Sequence, residues 1–272
     1  MSGELLARVR HVGGQANYVP DATTLSDLCL GAQRGGFEAL VPDAQWDVLA
    51  SILMCPYPGH ALQALRDAGA LHRWLPEVDA MFGVPQLCDL PDPMDVGQHQ
   101  MRVLNETATT DAPLTQRFAA LMHKIGKGGT PREIWPSHFK HEVRAHALLD
   151  AIGTRLALPE EATQLAHLVI DECDRVHRAS DMRAGPIAAM LLRLDVQGQP
   201  ARFDALLRIC TCDYAAYPGH TAGDYPKAER LRRALQASQQ ADIADLSPDE
   251  ALQAQAEAID LVLRGARATP MV

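Results

Sequence analysis

Leu121-Met-His-Lys-Ile-Gly-Lys-Gly-Gly129 is the stretch whose reading decides the fold. Its apolar front half completes a helical pattern that begins near Pro113. Gly126, Gly128 and Gly129 then end the pattern in a turn, where a missing Cβ removes the steric cost of bending. His123 stands where the helix gives out, a position suited to a metal ligand or a phosphate contact, and Lys124 follows it directly. Working outward, the same 3.6-residue apolar period recurs in segment after segment, punctuated by proline and glycine. No segment alternates polar and apolar long enough to demand a sheet. The expected fold class is all-α, a multi-helix array.

Composition agrees with that class. Alanine and leucine dominate and aromatics are 5% of the 272 residues, a palette rich in helix formers. No apolar run approaches the roughly 18 residues of a membrane span, and Met1 to Leu30 lacks the zones of a signal peptide. The expectation is a cytoplasmic chain with no membrane partner. The six cysteines are scattered through helical segments and read as reduced core thiols; Cys210-Thr-Cys212 without a second pair is a weak metal signal. A formal charge of −9 argues against non-specific wrapping of nucleic acid, which needs many basic contacts, while leaving room for a local basic patch.

In chain order, residues 1–20 read as a short N-terminal segment, basic at Arg8-Val-Arg-His11, jointed at Gly13-Gly14 and frayed. A helical region follows over 21–90. There Asp21 or Thr23 caps a first helix, and Pro42 sits in the first turn of a second with Trp46, Leu49, Ile52 and Leu53 on one side. The Pro- and Asp-rich loop from Gln86 to Gly97 is a seam before a third region, 91–246. Helices are predicted near 98–109, 113–124, 138–151, 159–178, 184–194, 199–213 and 226–240, and a last one, 247–267, lies within a C-terminal segment 247–272. His72, His146 and His167 read as solvated.

Several phrases together resemble one family. They are Glu38-Ala-Leu-Val-Pro42 with Trp46, Leu65-Arg-Asp-Ala-Gly-Ala-Leu71, Leu75-Pro-Glu-Val-Asp-Ala-Met-Phe-Gly-Val-Pro85, His123 with Gly126-Lys127-Gly128, Trp135-Pro136 with His138 and His141, and Asp224-Tyr-Pro226. Their order and spacing, from about Val19 to Ala241, look like the C-terminal body and HD region of bacterial CCA-adding enzymes, the tRNA nucleotidyltransferases that carry an HD phosphohydrolase domain. Two features of that family's front are missing. No Asp-x-Asp pair follows Gly13-Gly14 to clamp two metals, and the Glu-Asp-Pro-x-Arg-x-x-Arg neck motif is not found. Asp92-Pro-Met-Asp95 is a false lead, its carboxylates being three apart in a proline-rich loop. Nucleotide addition by this polypeptide alone is therefore not expected.

The resemblance implies a site. His99 of Gly97-Gln-His99 corresponds to the first HD metal ligand, His123 to the second and Asp213 to the last, with His138 and His141 facing the site and Lys127 steadying a phosphate oxygen. Lys124 stands where the His-Asp-x-Gly-Lys signature has its aspartate, and Cys173 where the family often has a histidine. An ammonium at the vacated position would repel a divalent ion by about 8 kcal/mol at roughly 4 Å with an effective dielectric near 20, twice the unit-charge figure. Its amine either enters the metal's place and pairs with Asp213, or swings outward and leaves a weak three-ligand site.

The expectation is a degenerate HD-type domain with no cofactor, or a weakly bound Ni, Mn or Mg ion, that retains binding of tRNA or nucleotide phosphate. One alternative is an active metal-dependent 2′,3′-cyclic phosphodiesterase, 2′-nucleotidase or phosphatase, with Lys127, His138 and His141 as its catalytic residues. Another is a structural partner of a separate nucleotidyltransferase.

Overall fold

A computed structural model describes residues 2–19, 21–88 and 92–265. Contacts divide the chain into two compact units, Met1–Asp171 with Ala215–His220, and Glu172–Tyr214 with Thr221–Val272. The division falls inside a helix near residue 171, and the Gln86–Gly97 loop lies within the first unit.

The first unit is built from helices whose starts are written in the sequence. Helix α1 (Ser2–Gly13) departs from the frayed terminus expected there. Leu5, Val9 and Val12 recur at helical spacing and are buried, so one apolar face holds the segment in the core, and Arg8 pairs with Asp27 of the next helix. Helix α2 (Ala22–Gln33) begins at Asp21, whose carboxylate accepts from Thr23 N and Thr24 N at 3.0 and 2.9 Å, a side-chain N-cap. Helix α3 (Pro42–Leu53) and helix α4 (Pro58–Asp67) each open on proline, which has no N–H to leave unsatisfied there. Two single turns follow, α5 (Leu71–Trp74) and α6 (Pro76–Asp79).

The loop read as a seam contains the strands found among the described residues, β1 (Pro85–Gln86) and β2 (Met94–Asp95), which pair antiparallel with Pro85 opposite Asp95. Asp95 then caps α7 (Val96–Thr109) by accepting from Gln98 N at 2.8 Å. Helix α8 (Leu114–Met122) carries a buried arginine. Arg117 donates to the carbonyls of Ala112, Leu53 and Cys55 at 2.8, 2.9 and 3.0 Å, and burial lowers its pKa. The apolar core around it includes Phe37 edge-on to Trp74 and Trp46 edge-on to Phe118.

The glycine turn becomes a short helix, α9 (Ile125–Gly128), followed after a loop by α10 (His141–Leu156) and α11 (Glu160–His177), which crosses the unit division. None of Gly126, Gly128 and Gly129 has a positive φ. The need for glycine is instead steric. A Cβ on Gly126 would overlap the carbonyl oxygen of His141 and crowd Ala145 N, so α9 lies directly on the backbone of α10. Glu77 of α6 closes the same corner with a two-pronged ion pair to Arg155, 2.8 Å on each side.

The second unit takes in the end of α11, then α12 (Ala184–Arg193), α13 (Pro200–Ala215, whose last residue counts with the first unit), α14 (Pro226–Gln240) and α15 (Pro248–Gly265). Ile187 and Leu191, Leu231 and Ala234, and Ile259 and Leu263 are the buried stripes of α12, α14 and α15, which pack together. Ser247 and Glu250 form a reciprocal capping box at the start of α15, with Ser247 N donating to Glu250 Oε2 at 2.9 Å and Glu250 N to Ser247 Oγ at 3.5 Å. The predicted end of this helix at Arg267 lies outside the described residues. Among the described residues no helix is long and apolar enough to cross a membrane.

Gly126→Ala is expected to destabilise the protein by about 1–3 kcal/mol, the usual cost of overpacking. Gly129→Ala, whose Cβ would meet only the Arg144 side chain at 3.8 Å and the Gly126 carbonyl oxygen at 4.0 Å, is expected to cost less. Urea unfolding of the two variants side by side checks the ranking.

Candidate functional site

Helix α8 ends at Met122, and its C-terminal turn presents His123 and Lys124 to the interior. Both are buried, at 3% and 4% exposed, and His99 of α7 is fully buried. Lys124 Nζ lies 3.1 Å from His99 Nε2. An ammonium only donates, so the His99 nitrogen accepts, and the lone pair that a metal would use is directed at the amine. The buried amine therefore points at His99.

Tyr217, from the Ala215–His220 segment, covers the same group. Its ring centroid is 4.2 Å from that of His99 and 5.8 Å from Lys124 Nζ. His123 is oriented by Nδ1, which lies 2.7 Å from the Ala120 carbonyl oxygen and 3.1 Å from Gln100 Nε2. Gln100 also donates to the Ala120 carbonyl.

The polar chain continues to Lys127. Its Nζ donates to Gln86 Oε1 at 3.0 Å, and Gln86 Nε2 lies 3.5 Å from the Tyr217 hydroxyl. His138 reaches the neighbouring residue of the same strand: its Nε2–H donates to the Pro85 carbonyl at 2.7 Å, and burial lowers its pKa. His141 is 7% exposed, with Nδ1 3.6 Å from Glu142 Oε2. The structure thus brings His99 and Lys124 together directly, links His123 to Gln100 beside His99, and places Lys127 and His138 on adjacent residues of β1. Asp213 belongs to the second unit, on α13, where its Oδ2 is 2.9 Å from His177 Nε2.

Three features were not anticipated from the sequence. Tyr217 lies far along the chain from His99 and carries no motif. The loop 132–140 is an ordered platform, with a cis Trp135–Pro136 bond and positive φ at His138 and Lys140. Arg144 holds it by donating to the carbonyls of Gly126, His138 and Phe139 and to Thr130 Oγ1, while Trp135 Nε1 donates to the Thr130 carbonyl at 3.0 Å. On this frame Phe139 stands 67% exposed with Lys140 Nζ 5.4 Å from its ring, and Arg132 sits 5.6 Å from the ring of Trp135. The interleaved Arg132, Trp135, Phe139 and Lys140 were the available signal.

The third feature corrects the solvated reading of His146 and His167. Their rings stack with centroids 4.9 Å apart and Nδ1 atoms 2.6 Å apart, flanked by Asp171 at 2.8 Å and Asp150 at 3.0 Å. Periodicity could place these residues on facing helical surfaces, but not specify that they meet.

No family model matches the sequence. Individual proteins do. A protein named "Multifunctional CCA protein" from Nitrosospira multiformis is 41% identical over 218 residues, covering 80% of this chain and 53% of the relative. Its namesake from Laribacter hongkongensis is 41% identical over 264 residues, 89% of this chain and 65% of the relative. One from Burkholderia cenocepacia is 41% identical over 238 residues, covering 88% and 58%. The chain spans between about half and two thirds of the length of these relatives. Identity at this level, sustained over most of the sequence, makes the chain a partial-length member of the family of multifunctional CCA proteins.

Proposed function

We propose that this region binds RNA through the platform at 132–140, and that its HD-like centre does not hold the divalent metal on which phosphohydrolysis by such a centre would depend. The observation that carries the second half is the 3.1 Å approach of Lys124 Nζ to His99 Nε2. A divalent ion ligated by His99 would need the lone pair now facing the ammonium, and would meet a positive charge in place of a carboxylate. When bound, such an ion would supply an activated water and a Lewis acid for a phosphate oxygen. The residues around His99 do not fit it.

The RNA reading is supported by kinship to proteins named for CCA and by the platform's chemistry. An exposed aromatic ring beside lysine and arginine offers a stacking face to a base and a cation to the adjoining phosphate. Arg144 holds the loop in place, so little ordering would remain to be done on binding. Lys127, 3.0 Å from Gln86, and the buried His138 brace β1; in this reading they position the platform's base rather than perform catalysis.

Two measurements test this. Lys124→Asp restores the signature carboxylate, and it is expected to raise Mn²⁺ affinity, read by the loss of the free-ion paramagnetic signal, and to bring hydrolysis of a 2′,3′-cyclic nucleotide above that of the parent chain. Stoichiometric Mn²⁺ in the parent chain, abolished by His123→Ala, would overturn the metal-free centre. Separately, Phe139→Ala is expected to weaken binding of a single-stranded RNA ending in CCA about tenfold, the scale of one lost base stack. RNA affinity that is absent in the parent or unchanged in the variant would sink the platform reading.

A further inference from the structure

Within the second unit two thiols and an imidazole converge. Cys173 and His177 are four residues apart near the C-terminal end of α11, a spacing that puts both on one face of a helix. Cys210 on α13 faces them. Its sulfur donates to Cys173 Sγ at 3.6 Å, and one ring nitrogen of His177 lies within 4.8 Å of both sulfurs. Both thiols are buried, and all six cysteines of the chain are free.

We propose that Cys173, His177 and Cys210 form a binding site for one Zn²⁺ ion, a site of thiolate and imidazole chemistry. In a tetrahedral site with metal–sulfur bonds of about 2.3 Å, two sulfurs stand about 3.8 Å apart. The observed 3.6 Å needs almost no rearrangement to admit the ion between them. The donor set selects the metal: two soft sulfurs and an imidazole favour zinc over magnesium and manganese, which seek oxygen.

The surroundings are those of a supported ligand. The Tyr225 hydroxyl lies 2.8 Å from His177 Nδ1, and Asp213 Oδ2 approaches Nε2 at 2.9 Å without hydrogen-bond geometry. If Nε2 takes the metal, Nδ1 remains oriented by the Tyr225 hydroxyl, the usual outer arrangement of a metal-bound histidine. Binding is a proton exchange. Zn²⁺ enters, the two S–H protons and any proton on the ligating ring nitrogen leave to water, and nothing is oxidised or reduced. Burial raises the Cys210 pKa, so affinity should climb with pH.

Chelator-treated full chain, titrated with Co²⁺ as a spectroscopic stand-in for Zn²⁺, tests the site. One equivalent should produce the sulfur-to-cobalt charge-transfer absorption together with the visible bands of a tetrahedral ion, and one equivalent of Zn²⁺ should bleach both while excess Mg²⁺ leaves them. Cys210→Ser should weaken binding by at least the about 10- to 100-fold that follows loss of even an outer partner, whereas Cys29→Ser should not.

If Cys210→Ser fails to fold, thiol labelling of the parent chain substitutes for it. Zn²⁺ should protect two of the six cysteines from a disulfide reagent, and peptide mapping should identify them as Cys173 and Cys210. Absence of a thiolate band in the parent, or protection of other cysteines, would overturn the site. So would oxidation of Cys173 and Cys210 to a disulfide at a rate that Zn²⁺ does not slow.

Discussion

Burying an ammonium is costly unless it finds an acceptor, and Lys124 finds one in the Nε2 atom of His99. That contact organises the interior of the first unit. Tyr217 lies against the same imidazole and reaches Gln86, to which Lys127 is bonded. Two lysines three residues apart thus end on opposite sides of one connected polar group. The arrangement is compatible with a buried charge because an acceptor nitrogen and an aromatic face are both turned toward it. A carboxylate at position 124 would reverse the local charge and face the same histidine.

Much of the helical framework was legible because local chemistry and global position agree. Asp21, Pro42, Asp95 and Ser247 start helices in the structure for reasons readable from the sequence: an acceptor for orphan N–H groups, or the lack of an N–H altogether. In helix α1 the helical spacing of Leu5, Val9 and Val12 is a stronger signal than the basic residues and the glycine pair that suggest a frayed terminus. Of the glycines after Lys124, Gly126 is required for a different reason from the turn expected there. Its constraint is a neighbouring backbone 15 residues on, which no local rule contains.

The site was legible in outline and not in detail. Resemblance singled out His99, His123 and the discordant Lys124, and the coordinates bring the first and last of these into hydrogen-bond contact. Long-range partners such as Tyr217, and Arg144 with its several acceptors, carry no signature because any arginine or tyrosine reads alike in isolation. The paired His146 and His167 illustrate the same limit. Each looks like an ordinary surface residue until the two helices are placed side by side.

Arg117 has a consequence for how the first unit comes apart. Its guanidinium gathers carbonyls from residues 53, 55 and 112, closing a span of chain that includes α4 and α7. Those oxygens lose their shared donor together if this one side chain withdraws, and they would then sit in the interior without it. The enclosed helices are therefore tied to a common latch, which favours their release as a single cooperative block over piecemeal melting from either end.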